Sequence, residues 1–244
     1  IVRYAQNKNY FYVGRGSGAN SLVAYLLRIT DVDPIELDLY FERFINLYRT
    51  NPPDFDIDFS WRDRQDVTRY IFSRFPHTAL LATYNTFQYR AAVRELGKVF
   101  GLPKQELDKL SDGKFKYQQL DHLQQLVVQY SQVLQDKPNH LSVHSSGIII
   151  ADKPIHYYSA TDMPPKGFPT TQFDMIISED VGLFKFDILG QRGLAKIKEC
   201  LQIVRYNKPN LPPIDIHNIK AFKKDKKINA LIAAAQCIGC FYVE

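Results

Sequence analysis

Cysteine is scarce in this chain. Cys200, Cys237 and Cys240 are an odd number in 244 residues, which argues against a disulfide framework and points to a reducing, cytoplasmic compartment. Cys237-Ile238-Gly239-Cys240 is a lone CxxC that follows the apolar stretch Leu231 to Ala235, so buried structure is expected there and not metal or redox work. Long apolar runs are missing too, none approaching the ~20 residues of a membrane span, so no membrane partner is expected. The start, Ile1-Val2-Arg3-Tyr4, lacks an initiator Met and the basic-then-apolar pattern of a signal peptide. The end at Phe241-Tyr242-Val243-Glu244 is abrupt, and the chain reads as a piece of a longer protein. Internal repeats and low-complexity segments are absent. Neither sign of charge dominates: a net charge of +5 permits contact with a polyanion without establishing it. With 45% hydrophobic and 23% charged residues, a folded globular chain is expected and disorder is excluded.

What is present begins with Val13-Gly14-Arg15-Gly16-Ser17-Gly18-Ala19-Asn20, glycines running into an apolar helix-forming stretch from Ser21 to Leu27. After Pro34 a second helix is expected over Ile35 to Asn46. Asp54-Phe55-Asp56-Ile57-Asp58-Phe59 then alternates with period two, which as a strand sends three carboxylates to one side and Phe55, Ile57 and Phe59 to the other. A helix over Arg62 to Phe75 follows, with Val67, Tyr70, Ile71 and Phe75 inward, then a strand at Ala79 to Tyr84. The chain reads as helical over Phe87 to Phe100, Lys104 to Leu110 and Tyr117 to Leu134. It turns extended again at Gly147 to Ala151, Thr170 to Phe173 and Leu183 to Ile188. A last amphipathic helix is expected over Arg192 to Tyr206, with Leu194, Ile197, Leu201 and Val204 in phase. The pattern mixes helices and strands and is interrupted by a helical insertion. Lys220, Lys223, Lys224, Lys226 and Lys227 read as a solvated face.

Two of these strands carry acids opposite an apolar side. Asp54, Asp56 and Asp58 share one side of the first, and Lys185 and Asp187 share one side of the second, with Phe184, Phe186 and Ile188 opposite. Paired in one sheet, the strands would bring like charges ~4.8 Å apart, where they repel unless a cation sits between them. Hard oxygen ligands favour Mg²⁺ or Mn²⁺, and two such ions are a standard device for nucleotidyl transfer. A calcium loop is disfavoured, because its glycine position holds Phe59 and its final glutamate position holds Gln65. The glycine run is neither a P-loop, since no Gly-Lys-Ser/Thr follows, nor a dinucleotide fingerprint, which needs a preceding strand and a later acid. It can still offer backbone N–H groups and the Ser17 hydroxyl to a phosphate.

The order of these pieces, a Gly-Ser loop, a helix, an acidic strand and a distant third carboxylate, resembles that of a polymerase-beta-like nucleotidyltransferase palm. The wording resembles the bacterial C-family polymerases, the group of the polymerase III alpha subunit. The resemblance rests on Gly14 to Tyr25, Ile29-Thr30-Asp31-Val32-Asp33-Pro34, Phe41-Glu42-Arg43-Phe44-Ile45-Asn46 and Pro53 to Phe59. It continues in the same order through Thr83-Tyr84-Asn85-Thr86-Phe87, His144-Ser145-Ser146-Gly147, Thr171-Gln172-Phe173-Asp174 and Lys185-Phe186-Asp187-Ile188-Leu189-Gly190. His144-Ser145-Ser146-Gly147 stands where the family's commoner wording is His-Ala-Ala-Gly. Asp187-Ile188-Leu189-Gly190-Gln191-Arg192 stands in place of Asp-Phe-Leu-Gly-Leu-Arg. Those departures leave open a main replicase or a specialised paralogue.

The resemblance implies an α+β fold: a palm over residues 1–85 and 141–190, a helical thumb over 86–140, and the start of the fingers over 191–244. It implies Asp54, Asp56 and Asp187 as the catalytic, metal-binding aspartates, with two Mg²⁺ or Mn²⁺ ions. Asp58 is extra in the alternation. Gly16, Ser17, Arg43 and Lys185 would hold the incoming nucleotide, with Arg49 a weaker candidate. Arg90, Arg94 and Lys98, spaced four apart on one helix face, would contact DNA phosphates. His144 is expected to pack or hydrogen-bond and not to ligate an oxygen-rich metal site. The implied activity is template-directed transfer of deoxynucleotides from dNTPs to a primer 3′-hydroxyl on primer-template DNA, in bacterial replication or repair synthesis. A sliding clamp and other replisome subunits would engage the longer protein. The rivals are a non-templated nucleotidyltransferase on the same palm and a catalytically inactive DNA-binding relative.

Overall fold

The computed structural model describes residues 1–50 and 52–239. In chain order its first elements are α1 (Val2–Asn7), β1 (Tyr12–Arg15), α2 (Leu22–Leu26), β2 (Asp56–Ser60), α3 (Arg64–Arg74) and β3 (Thr78–Thr86). Next come α4 (Tyr89–Val99), α5 (Lys104–Ser111), α6 (His122–Leu134), β4 (Pro138–Ile150), β5 (Thr161–Asp162) and β6 (Thr170–Thr171). The described chain closes with α7 (Met175–Asp180), β7 (Lys185–Gln191), α8 (Arg192–Asn207), α9 (Ile219–Lys223) and α10 (Lys226–Ala233). Helices and a mixed set of parallel and antiparallel strands make this an α+β chain. It divides into two compact units, one built from residues 1–76 and those from 186 onward, the other from 77–185.

In the first unit β2 is the middle strand. β1 pairs with it antiparallel, Arg15 opposite Asp56 and Tyr12 opposite Phe59. On its other edge β7 pairs parallel, Asp56 opposite Asp187 and Ile57 opposite Ile188. Ile57, Phe59 and Ile188 are buried with Val67 and Ile71 of α3, so the apolar side of β2 is the core side. Each buried side chain of this size adds about 1.5–3 kcal/mol of burial free energy, enough to fix the strand parity. Arg64 at the start of α3 passes over Gly190 and donates from Nε to the Ile188 carbonyl at 2.8 Å. A Cβ on Gly190 would come to 3.1 Å from the Arg64 Cδ.

The second unit holds β4-β3-β6-β5, where β3 and β4 form a long antiparallel pair and β6 runs parallel to β3. Ala79, Leu81, Ile149, Ile155, Phe173 and Leu183 are its sheet core. The helices α4, α5 and α6 close on a separate cluster of Val93, Leu110, Val127 and Val128. Gly97 lets α4 and α5 meet, since a Cβ there would lie 1.9 Å from Leu107 Cδ2.

Several sequence expectations are corrected. Ile35 to Asn46 forms no α-helix: turns lead into a 3₁₀ turn at Phe41–Arg43, and Asp38 sits at φ 49, outside helical backbone. No face of that segment is buried, and Leu37, Tyr40, Phe41 and Ile45 are all exposed, so nothing favours a helix there. The acidic strand starts at Asp56 and not Asp54, because Asp54 gives its backbone groups to the glycine loop instead of a ladder. The glycine run itself begins in a strand, β1, which holds Val13 to Arg15. The stretch Tyr117 to Leu134 breaks at Asp121, whose side chain caps α6 in a capping box with Gln124. Phe184 and Phe186, expected inward, are 42% and 40% exposed. On α8, Ile197 and Val204 are likewise exposed, and Ala195 is the buried residue. Cys200 is exposed and Cys237 half-buried, while Cys240 lies outside the described residues.

Candidate active site

Strand parity and register build one face of the first unit. Asp56 and Asp58 leave β2 on the side opposite Ile57 and Phe59, and Arg15, Asp187 and Gln191 leave the neighbouring strands on that same side. Arg15, Asp56 and Asp187 are opposite one another across three strands, forming a row in which Asp56 stands between the Arg15 cation and the Asp187 carboxylate. Asp58 and Asp187 are both buried.

Arg15 is held as a fork on Asp58: Nε donates to Oδ2 at 2.7 Å and Nη2 to Oδ1 at 3.0 Å. Its remaining nitrogen, Nη1, stands 3.9 Å from Asp56 Oδ2. The Asp58 hydrogen bonds, with the fields of Asp56 and Asp187, hold the guanidinium above its ordinary range despite partial burial. Gln191 adds a third donor to Asp58, Nε2 to Oδ2 at 3.1 Å.

Asp54 belongs to the loop. Its Oδ1 accepts from the Ser17 backbone N–H at 3.1 Å and from the Ser17 hydroxyl, and its carbonyl accepts from Gly18 N at 3.0 Å. The Ser17 hydroxyl is the main reason the Asp54 carboxyl is held below the usual carboxylate range, with Arg49 contributing from 3.6 Å. Gly16 adopts φ 88 and ψ 173, which only glycine takes easily, and a Cβ there would lie 2.5 Å from the Asp54 carbonyl oxygen. Gly18 leaves space for the Phe55 ring, 2.5 Å from where its Cβ would be. The donors that sequence reasoning offers to a phosphate are thus directed at an anion, and that anion is Asp54.

The other expected residues lie on separate elements of the chain. Arg43 is exposed on the 3₁₀ turn, and Arg49, not Arg43, lies against Asp54. Lys185 opens β7 two residues before Asp187, half-buried. Arg90, Arg94 and Lys98 line one exposed side of α4, where they pair with Asp112, with Asp108 at 2.8 Å and with Glu95 at 2.6 Å. His144 Nδ1 accepts from the backbone N–H groups of Ser146 at 3.3 Å and Gly147 at 2.8 Å, a hydrogen-bonding role. Sequence reasoning missed Arg15, although it sits inside the glycine run. Its partner could be found only from the register of β1 on β2, which no spacing in the sequence states.

Among the described residues, no three Asp, Glu, His or Cys side chains are gathered into a ready metal cage, and Asp54 is turned to Ser17. The donor chemistry still suits a hard divalent cation. Asp56 and Asp187 are carboxylates in register on adjacent strands, and a positive group, Arg15, already occupies their field.

The profile of the bacterial DNA polymerase III alpha NTPase domain family matches residues 1–190. The error-prone DNA polymerase of Symbiobacterium thermophilum is 35% identical over 265 aligned residues, covering 100% of this chain and 24% of that protein. The DNA polymerase III subunit alpha of Bacillus subtilis is 34% identical, over 95% of this chain and 22% of that protein. That of Treponema pallidum is 32% identical, over 95% and 21%. The chain therefore spans less than a quarter of the length of these relatives. Among the described residues, no helix is long and apolar enough to cross a membrane.

Proposed function

Because the chain belongs to the bacterial DNA polymerase III alpha NTPase domain family, we propose that it carries the nucleotidyl-transfer centre of a template-directed DNA polymerase. The observation that carries this reading is the in-register pair Asp56 and Asp187, with Asp54 tied to the Gly16-Ser17 loop on the same unit. Asp54, Asp56 and Asp187 would hold Mg²⁺ or Mn²⁺, two ions in the full reaction. When bound, the metal supplies charge neutralisation at the phosphates and lowers the pKa of the attacking hydroxyl.

The chain's own groups do the rest by position. The primer 3′-hydroxyl bonds to the α-phosphorus of a dNTP, the α–β bridging bond breaks, and pyrophosphate leaves. Gly16 lets the loop backbone approach the triphosphate, and Ser17 gives its N–H and hydroxyl to phosphate oxygens once Asp54 releases them. Arg43 and Lys185 add positive charge for the phosphates, and Arg49 competes for Asp54. Residues 1–85 and 141–190 serve as palm, 86–140 as thumb and 191–244 as the start of the fingers. Arg90, Arg94 and Lys98 steer duplex phosphates. The whole protein's partners in this reading are primer-template DNA, dNTPs, a sliding clamp and other replisome subunits in the bacterial cytoplasm.

The test is a metal titration with two substitutions. Mn²⁺ should raise the melting temperature of the chain, and Asp187→Asn or Asp56→Asn should weaken that rise. In the full-length protein Asp187→Asn should abolish nucleotide incorporation while sparing DNA binding. Incorporation by Asp187→Asn at the wild-type rate would overturn the reading.

A further inference from the structure

We propose that Arg15 and Asp58 form a built-in counter-charge for the aspartate row, Asp58 acting as the anchor of Arg15 and not as a metal ligand. This rests on the reading of the site given above and names a positioning pair within it. Asp58 is 5% exposed, and three donors already occupy its two oxygens: the Arg15 fork and Gln191. A carboxylate has about four acceptor positions, so little of Asp58 is left for a cation. The fork fixes the guanidinium plane, because a bidentate contact allows no free rotation. What remains directed at the row is Nη1, 3.9 Å from Asp56.

Two consequences follow from that geometry. Without metal, Arg15 offsets the repulsion that Asp56, Asp58 and Asp187 would otherwise exert on one sheet face, so the first unit folds without a divalent ion. With metal, the same fixed charge opposes the ion, and it weakens binding by a constant factor. Arg15 thus tunes affinity, and Asp58 decides how close the charge comes. Gln191, at a position where this chain departs from the family's wording, reinforces the anchor. If Asp58 is neutralised, the guanidinium is released to close on Asp56 and competes more strongly.

The experiment measures Mn²⁺ affinity by the electron paramagnetic resonance signal of free Mn²⁺, together with the metal-free melting temperature. Arg15→Met should bind Mn²⁺ at least about five- to tenfold more tightly, the size expected for removing a unit charge about 8 Å from a divalent ion at the full dielectric of water, the weakest case. The same variant should melt at a lower temperature without metal. Opposite signs in the two readouts are what a merely structural arginine would not give. Arg15→Gln, neutral but still able to donate to Asp58, should repeat the gain in affinity if Arg15→Met fails to fold. Asp58→Asn alone should bind Mn²⁺ more weakly. The paired variant Arg15→Met/Asp58→Asn removes both charges together and should return within about fivefold of wild type. A paired variant more than about fivefold weaker would make Asp58 a ligand and overturn the proposal, as would unchanged or weaker binding by both neutral Arg15 variants. Those outcomes leave the nucleotidyl-transfer reading standing if Asp187→Asn still loses Mn²⁺. Absence of Mn²⁺ binding by the wild type would overturn both.

Discussion

Replacing Gly16 with alanine tests the loop more sharply than any charge change. Gly16 has φ 88 and ψ 173, a region that side-chain-bearing residues enter at a cost of about 1–3 kcal/mol. Its Cβ would also fall 2.5 Å from the Asp54 carbonyl oxygen and 3.1 Å from Asp54 Oδ2. A backbone carbonyl cannot turn aside as a flexible side chain can, so the loop and Asp54 must separate. That movement weakens the Gly18 N–H to Asp54 carbonyl bond at 3.0 Å and the Ser17 N–H to Oδ1 bond at 3.1 Å, each worth about 1 kcal/mol. The total expected for Gly16→Ala is therefore about 2–4 kcal/mol. The assay is urea unfolding followed by the fluorescence of Trp61, the single tryptophan of the chain, which belongs to the same unit as Gly16. Gly167→Ala is the comparison, read by circular dichroism: Gly167 has φ +76 but open space around it, so about 1 kcal/mol is expected. A cost below about 0.5 kcal/mol for Gly16→Ala, or equal costs for the two variants, would refute the argument that the loop is built against Asp54.

Three further outcomes are expected. Ser17→Ala removes the main cause of the lowered Asp54 pKa; a carboxyl depressed in the folded state contributes stability above its unfolded pKa of ~3.9 and loses it as pH falls through the folded value. The cost of Ser17→Ala, under about 1 kcal/mol because Asp54 is half-exposed, should thus be present at pH 7 and fade below about pH 4, and a cost unchanged at acid pH would contradict it. Tyr4 donates to Asp66 Oδ2 at 2.6 Å, a bond that chiefly accounts for its phenol being pushed up to about 12; a phenolate absorbance titration should show Tyr4 in the late-ionising fraction, identified by its loss in Tyr4→Phe, and Asp66→Asn should return it toward 10. Replacing Arg90, Arg94 and Lys98 with alanine should lower the slope of log DNA affinity against log salt by up to about 2.7, while Asp108→Asn with Asp112→Asn should tighten binding by freeing two of those cations; an unchanged slope would make the stripe a solvated, internally paired face.

The period-two run from Asp54 to Phe59 was enough to read which residues of β2 face the core, because burying Ile57 and Phe59 leaves the acids no other side. Period two misled in two places. Asp54 has the parity of the strand but lies before it, since the glycine loop takes its backbone and side-chain groups. Phe184 and Phe186 have the parity of Ile188 but are exposed, so alternation there did not report burial. Long amphipathic segments such as α3, α4 and α8 were legible from spacing. The segment from Ile35 to Asn46 was not, because its apolar residues find no face to cover and local propensity alone does not sustain a short helix. The pairings of α4 with α5 depend on where Asp108 and Asp112 stand across an interhelix gap, which spacing within α4 cannot supply.

The most consequential gap concerns partners, and it changes what binding at this site means. Sequence parity collects carboxylates on one side and phosphate donors in one loop, which reads as a vacant site awaiting a cation and an anion. In the folded chain Arg15 stands in the field of the aspartates, and Asp54 takes the Ser17 donors. Any cation that enters must contend with a fixed guanidinium, and any phosphate that enters must displace a carboxylate. Each observed affinity is then a difference between two interactions in the same place, not the full strength of the new one. Charge removal at Arg15 should consequently strengthen cation binding, although arginine is the kind of residue whose loss at a phosphate-transfer site would ordinarily be expected only to weaken ligand binding.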